Sequence, residues 1–173
     1  SRSRAEPAGR RRAPSRRVLS GRDLLLQELP PAKVGVEAAE GDELVVRPAL
    51  ALAFVRSPMQ VAYSTWSLAG FAPGRFELGL GTQIKPNIVG RFGVEWADPV
   101  ERMGDYVAAV RAVFTAFQEG GPLRHEGPHY RLTRLQPEFN PGPLATGPPP
   151  IWLGGVNKRA CRLAGAVGDE MLA

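Results

Sequence analysis

The stretch LVVRPALALAFV, Leu44 to Val55, is apolar almost throughout and does not alternate with polar residues. A strand with one wet face alternates, whereas a strand covered on both faces does not, so this segment predicts a place in a parallel sheet. Pro48 lacks the N–H a ladder needs, and a bulge or a local loss of pairing is expected around it. Residues 23–43, which precede the stretch, carry no pattern that assigns them.

Strand and helix signals then alternate. Ser57-Pro58 combines a favoured N-cap with proline at the first helical position. Val61, Ala62, Thr65, Trp66, Leu68 and Ala69 give that helix one inner face as far as Gly70. Phe71 to Gly74 reads as a turn and Arg75 to Gly81, RFELGLG, as the next strand. Asp98, Pro99 and Glu101 spell the start of a second helix running to about Gln118. Its stripe of Val100, Met103, Tyr106, Val107, Val110, Val113, Phe114 and Phe117 is a core face, and Gly120-Gly121-Pro122 stops it. Residues 120–149 contain seven prolines and no helical period, so an excursion over the surface is expected, pinned by Tyr130, Leu132, Leu135 and Phe139. A strand over Pro150–Gly154, a helix with Ala160, Leu163, Ala164 and Val167 inward, and a strand opening at Glu170 complete the series. Such alternation predicts an α/β fold with right-handed crossovers. A doubly wound sheet and a (β/α)8 barrel both satisfy it, and since the barrel normally takes about 250 residues, this chain holds about half of one.

His125-Glu126-Gly127-Pro128-His129 matches H-E-x-x-H in spelling. In a zinc peptidase both histidines lie on one helical face. Gly127 and Pro128 stand between them here, just after a helix stop, so a solvent-exposed loop is expected and no metal site.

The chain's net charge of +5 is unevenly distributed. Residues 1–22 hold eight arginines and one glutamate, leaving 14 basic and 16 acidic residues in the rest. The basicity therefore belongs to the tail. SRSRAEPAGRRRAPSRR cannot bury enough apolar surface to offset its ordering entropy, and a disordered tail and linker over residues 1–43 is expected, ahead of a domain over 44–173. A nucleic-acid partner would rest on that tail alone and is not expected. The apolar run Ala49–Val55 falls far short of the roughly 18 residues that cross a bilayer, so no membrane partner and a cytoplasmic address are expected. A single cysteine, Cys161, permits no internal disulfide and reads as a small buried residue.

In parallel βα folds ligands lie at the carboxyl ends of the strands, where helix N-termini offer free N–H groups. Three such ends are expected, at 53–57, 79–87 and 154–159. GGVNKR places Asn157, Lys158 and Arg159 at a helix opening after two glycines, which suits a phosphate by charge. In GLGTQIKPN, Gly79 and Gly81 would let a flat ring approach. The pattern lacks the third glycine of a dinucleotide fingerprint, and no helix is expected directly after it.

At these residues the sequence resembles the luciferase-like monooxygenase family, in particular its coenzyme F420-dependent oxidoreductases. LALAFVRSPMQVA, GRFELGLGTQIK, RFGVEWADPVERMGDYVAAVRAVF, HEGPHYRL and PPPIWLGGVNKRACRLAGAVGDEMLA stand in the family's order from about Val45 to Ala173. HEGPHY then resembles the family's F-x-G-x-x-Y loop and not a metal motif. The resemblance implies a TIM barrel that carries a deazaflavin, or alternatively FMN, and transfers hydride to or from a small organic substrate. It implies that Pro48, Ala49 and Ala51 support the ring, that Gly79, Gly81, Thr82 and Asn87 border it, and that Gly155, Val156, Asn157, Lys158 and Arg159 hold the phosphate. Val156-Asn157-Lys158 departs from the family's common G-G-x-G-P form. The blocks begin at about the family's third strand, so a partial barrel is expected, with no catalytic residue identified and a homo-oligomer as one way of covering it. A non-catalytic fragment of the same family is the alternative reading.

Overall fold

The computed structural model describes residues 33–38, 44–155 and 157–172. The expectation for the arginine-rich tail lies outside these residues. β1 (Lys33–Ala38) falls within the stretch expected to be a disordered linker, and there it differs from that expectation, pairing antiparallel with β2 (Leu44–Ala49). β3 is only Ala51–Leu52, and α1 (Pro58–Phe71) follows. β4 (Leu78–Gly81) leads through a π-helical turn (Asn87–Arg91) to α2 (Pro99–Glu119). The short antiparallel pair β5 (His125–Glu126) and β6 (Arg131–Leu132) and a 3-10 turn (Pro137–Phe139) occupy the next segment. β7 (Ile151–Gly154), α3 (Lys158–Val167) and β8 (Glu170–Leu172) end the order.

The four parallel strands lie in the order β3-β4-β7-β8, which is chain order without reversal. Right-handed crossovers between consecutive neighbours all fall on one face, whereas a doubly wound sheet needs a reversal to place helices on both. The arrangement is therefore that of a (β/α) barrel segment, and the ambiguity left by the sequence is resolved. The helix-facing side chains of β4 and β7, Leu78, Leu80, Ile151 and Leu153, join Val61, Trp66, Val107, Val110, Val113 and Phe117 in one buried cluster.

The long apolar strand is corrected in detail. Its first half pairs antiparallel with β1 and touches the parallel sheet through one bridge, Val46 to Phe76, and its second half resumes parallel pairing with Ala51 opposite Leu80. Five residue steps on one side match four on the other, so one extra residue is inserted between Val46 and Ala51: the expected bulge.

Both helix starts form as read. Ser57 Oγ accepts from Gln60 N at 3.2 Å, and Asp98 Oδ1 accepts from Val100 N at 2.9 Å and Glu101 N at 3.1 Å. Gly120, at φ 72°, ends α2 in the left-handed conformation that glycine adopts without strain. Of the four residues expected to pin the long excursion, Tyr130, Leu132 and Leu135 pack on the core. Phe139 does not: it is 59% exposed, and its backbone carbonyl makes the contact instead, accepting from Tyr63 OH at 2.6 Å. Cys161 is half-buried rather than buried.

Candidate functional site

Because β3, β4 and β7 are parallel neighbours, their carboxyl ends and the three turns that follow stand side by side along one edge of the sheet. Ala53 N donates to Gly81 O at 3.0 Å and ties the first turn to the end of the second strand. Pro48, Ala49 and Ala51 flank the bulge, and Gly79 and Gly81 lie in β4 beside it. Thr82 follows β4, and Asn87 opens the π-helical turn, which corrects the expectation that no helix starts there. Gln83 between them has a φ of 62°, unusual for a side chain other than glycine. Gly155, Asn157, Lys158 and Arg159 form the third turn, while Val156 lies outside the described residues.

Asn157 Oδ1 accepts from Ala160 N at 3.0 Å and caps α3. The N–H groups of Lys158 and Arg159 at the start of α3 have no intrahelical acceptor, so they and the helix dipole face the turn. Gly155 has a spatial role: a Cβ there would stand 3.2 Å from Cys161 N. Arg159 is also tied to α2, donating through Nη2 to Asp98 Oδ2 at 3.0 Å. The Asp98 carboxyl is held below its ordinary acid range, chiefly by the Glu101 N–H and then by Arg159. A depressed carboxylate stabilises fully above its unfolded range, around pH 4, and loses that contribution as pH falls through the lowered folded value. Asp98→Asn keeps a capping oxygen and loses the charge. Its melting temperature is accordingly expected to fall less steeply below about pH 4 than that of the unchanged protein, measured by thermal melts across that range.

The glycines of β4 are required by the chain itself. A Cβ at Gly79 would stand 2.3 Å from the Pro48 carbonyl oxygen; at Gly81 and Gly154 it would come within 3.0 and 2.5 Å of Leu50 Cδ1. The bulge turns Leu50 over this face, where it fills the space the glycines leave. A flat group approaching Gly79 and Gly81 from this side would therefore rest on Leu50 and the bulge rather than on bare strand backbone. On the same face, Arg47 stacks 3.9 Å over the Trp152 ring and its Nε donates to Glu77 Oε2 at 2.6 Å. Alternation along β7 puts Trp152 and Gly154 on this side and Ile151 and Leu153 toward the helices. Leu50, Arg47 and Trp152 were not singled out in the sequence.

HEGPHY is not helical, as expected, but it is not simply exposed. Asp105, on the second turn of α2, has a side chain 5% exposed that pairs with His125 Nε2 at 2.8 Å. Its other oxygen accepts from His129 N at 2.7 Å and Tyr130 N at 2.8 Å. The histidine belongs to a clamp that docks the loop on α2. Beside it, burial raises the Tyr130 phenol above its ordinary range against the opposing hydrogen bond from Arg102, and burial raises Tyr106 further, so both stay protonated at neutral pH.

The sequence profile described as luciferase-like monooxygenase matches residues 30–173. The chain belongs to the luciferase-like monooxygenase family. It is 40% identical over 123 residues to an uncharacterised protein of Mycobacterium tuberculosis, covering 71% of this chain and 36% of that one. It is 29% identical over 115 residues to the F420-dependent glucose-6-phosphate dehydrogenase of Nakamurella multipartita, covering 66% of this chain and 32% of the enzyme. The chain thus spans about a third of the length of these two relatives. An F420-dependent secondary alcohol dehydrogenase solved with an F420-acetone adduct superposes with a TM-score of 0.60 at 21% identity, over 76% of this chain and 39% of that one. EDTA monooxygenase from Chelativorans sp. BNC1 superposes with a TM-score of 0.61 at 20% identity, over 72% and 33%. Both structures are TIM barrels, and the likeness in fold supports the barrel reading of the sheet.

Proposed function

We propose that this edge is the coenzyme-holding part of an F420-dependent oxidoreductase, with FMN as the alternative coenzyme and a small organic molecule as substrate. The observation that carries the reading is the juxtaposition of the three strand-end turns on adjacent parallel strands. The names of the Nakamurella relative and of the secondary alcohol dehydrogenase support F420, and the family description leaves room for a flavin.

The residues fit such a group at its anionic end. Lys158 and Arg159 bring positive charge to the start of α3, whose first amides are unspent, and Gly155 keeps the strand-to-helix turn tight. At the ring end, Leu50 and the bulge backbone at Pro48, Ala49 and Ala51 offer an apolar backing, with Gly81, Thr82 and Asn87 at its border. A bound deazaflavin or flavin would supply the hydride chemistry, and the protein's share is position, exclusion of water and electrostatics. No side chain is assigned as acid or base.

Titration of the whole chain with F420, and separately with FMN, following coenzyme fluorescence, tests this. Saturable binding in the micromolar range is expected, weakened about tenfold or more when Lys158 and Arg159 are both changed to glutamate. A chain that stays folded by circular dichroism and binds neither coenzyme overturns the proposal.

A further inference from the structure

We propose that Arg102, which lies outside the three turns, is a positioning residue for this edge: one guanidinium holds the turn after β3 and the long loop after β4 in register with each other. The inference rests on the coenzyme-site reading for its consequence, though not for its geometry.

Arg102 is on the first turn of α2. Its Nη1 donates to the carbonyl of Glu95 at 2.9 Å, near the end of the loop that begins with Thr82 and contains Asn87. Its Nε donates to Tyr130 OH at 2.9 Å, on the loop that Asp105 docks. Its Cζ lies 4.7 Å from the centroid of the Phe54 ring, and Phe54 follows directly on Ala53 in the turn after β3. Three segments far apart in sequence thus meet on one planar group. Both hydrogen bonds go to neutral acceptors, and among the described residues no carboxylate lies within ion-pair distance of Arg102. An arginine used in this way orders its surroundings through directed donors and a flat face, which a lysine ammonium cannot copy.

The loop from 82 to 98 has only the π-helical turn within it, and such a loop samples many conformations unless something fixes its far end. Candidate contacts Thr82 and Asn87 are on this loop, and the first turn abuts the bulge. Loosening either would spread the positions of groups that have to face a ligand together.

Arg102→Ala and Arg102→Lys, made in the whole chain, test the assignment by hydrogen exchange with mass spectrometry and by F420 titration. In Arg102→Ala, amides in 53–57 and 82–98 are expected to exchange about tenfold faster together, while β4 and β7 keep their protection. F420 affinity is expected to drop about tenfold, and lysine is expected to restore neither. Arg102→Lys carries the same comparison should the alanine variant not fold. Faster exchange confined to 125–132, a loss of protection throughout the strands, or full rescue by lysine overturns the assignment. If exchange responds as expected but no protein in the series binds F420 or FMN, Arg102 still holds the two segments and the coenzyme reading is what falls.

Discussion

Asp105→Ala is expected to lower the unfolding free energy by about 3 kcal/mol or more, because one buried carboxylate satisfies three donors at once. His129 N and Tyr130 N both give their hydrogen bonds to Oδ2, and the His125 ring closes on Oδ1. Truncation leaves two backbone N–H groups in a partly buried turn without an acceptor, and each such group costs about 1–3 kcal/mol. The packing is tight from the other side as well: a Cβ at Gly127 would stand 1.7 Å from Asp105 Oδ1. Asp105→Asn retains one acceptor oxygen and should lose less. For a chain of this length the alanine change corresponds to a melting temperature roughly 6–12 °C lower, readable by differential scanning calorimetry. A loss below about 1 kcal/mol would mean that the loop is held by Tyr130 and its neighbours instead.

Gly79→Ala should cost about 3 kcal/mol, and Gly154→Ala clearly less, although both add the same methyl group to the same face. The difference lies in what each methyl meets. At Gly79 the obstacle is the carbonyl oxygen of Pro48, fixed by the strand, and at Gly154 it is the flexible end of Leu50. Shortening the leucine separates the two cases. Leu50→Ala combined with Gly154→Ala should recover most of the Gly154→Ala loss, whereas Leu50→Ala should not relieve Gly79→Ala. Urea melts of the single and double variants give the coupling energies directly. Equal costs at the two glycines would refute the packing described for this face.

Local pattern was enough to read most of the architecture. Proline and a capping side chain start α1 and α2, a glycine ends α2, and the stripe from Met103 to Phe117 is buried as its spacing requires. These features are local: a cap, a stop and a period of 3.6 depend on residues within a turn or two of each other. The three strand-end turns were legible for the same reason, since each is a strand end followed by glycine or a capped helix.

Whether the turns lie together was decided only by tertiary structure, because strand order is a property of pairing between distant segments, and the same alternation allows a sheet that reverses. The purpose of Gly79 and Gly154 was hidden likewise: a missing Cβ looks the same in sequence whether it makes room for a ligand, a carbonyl or Leu50. Leu50 itself reads as one more apolar residue until the bulge turns it over the sheet. Arg102 and Asp105 were not singled out in the sequence, because their contacts with Glu95, Phe54, His125 and Tyr130 depend on segments that no periodicity brings near them. The sequence thus determined the elements and the chemistry at their ends. The fold decided which of those ends share a surface, because long-range pairing and side-chain contact depend on the whole chain's path.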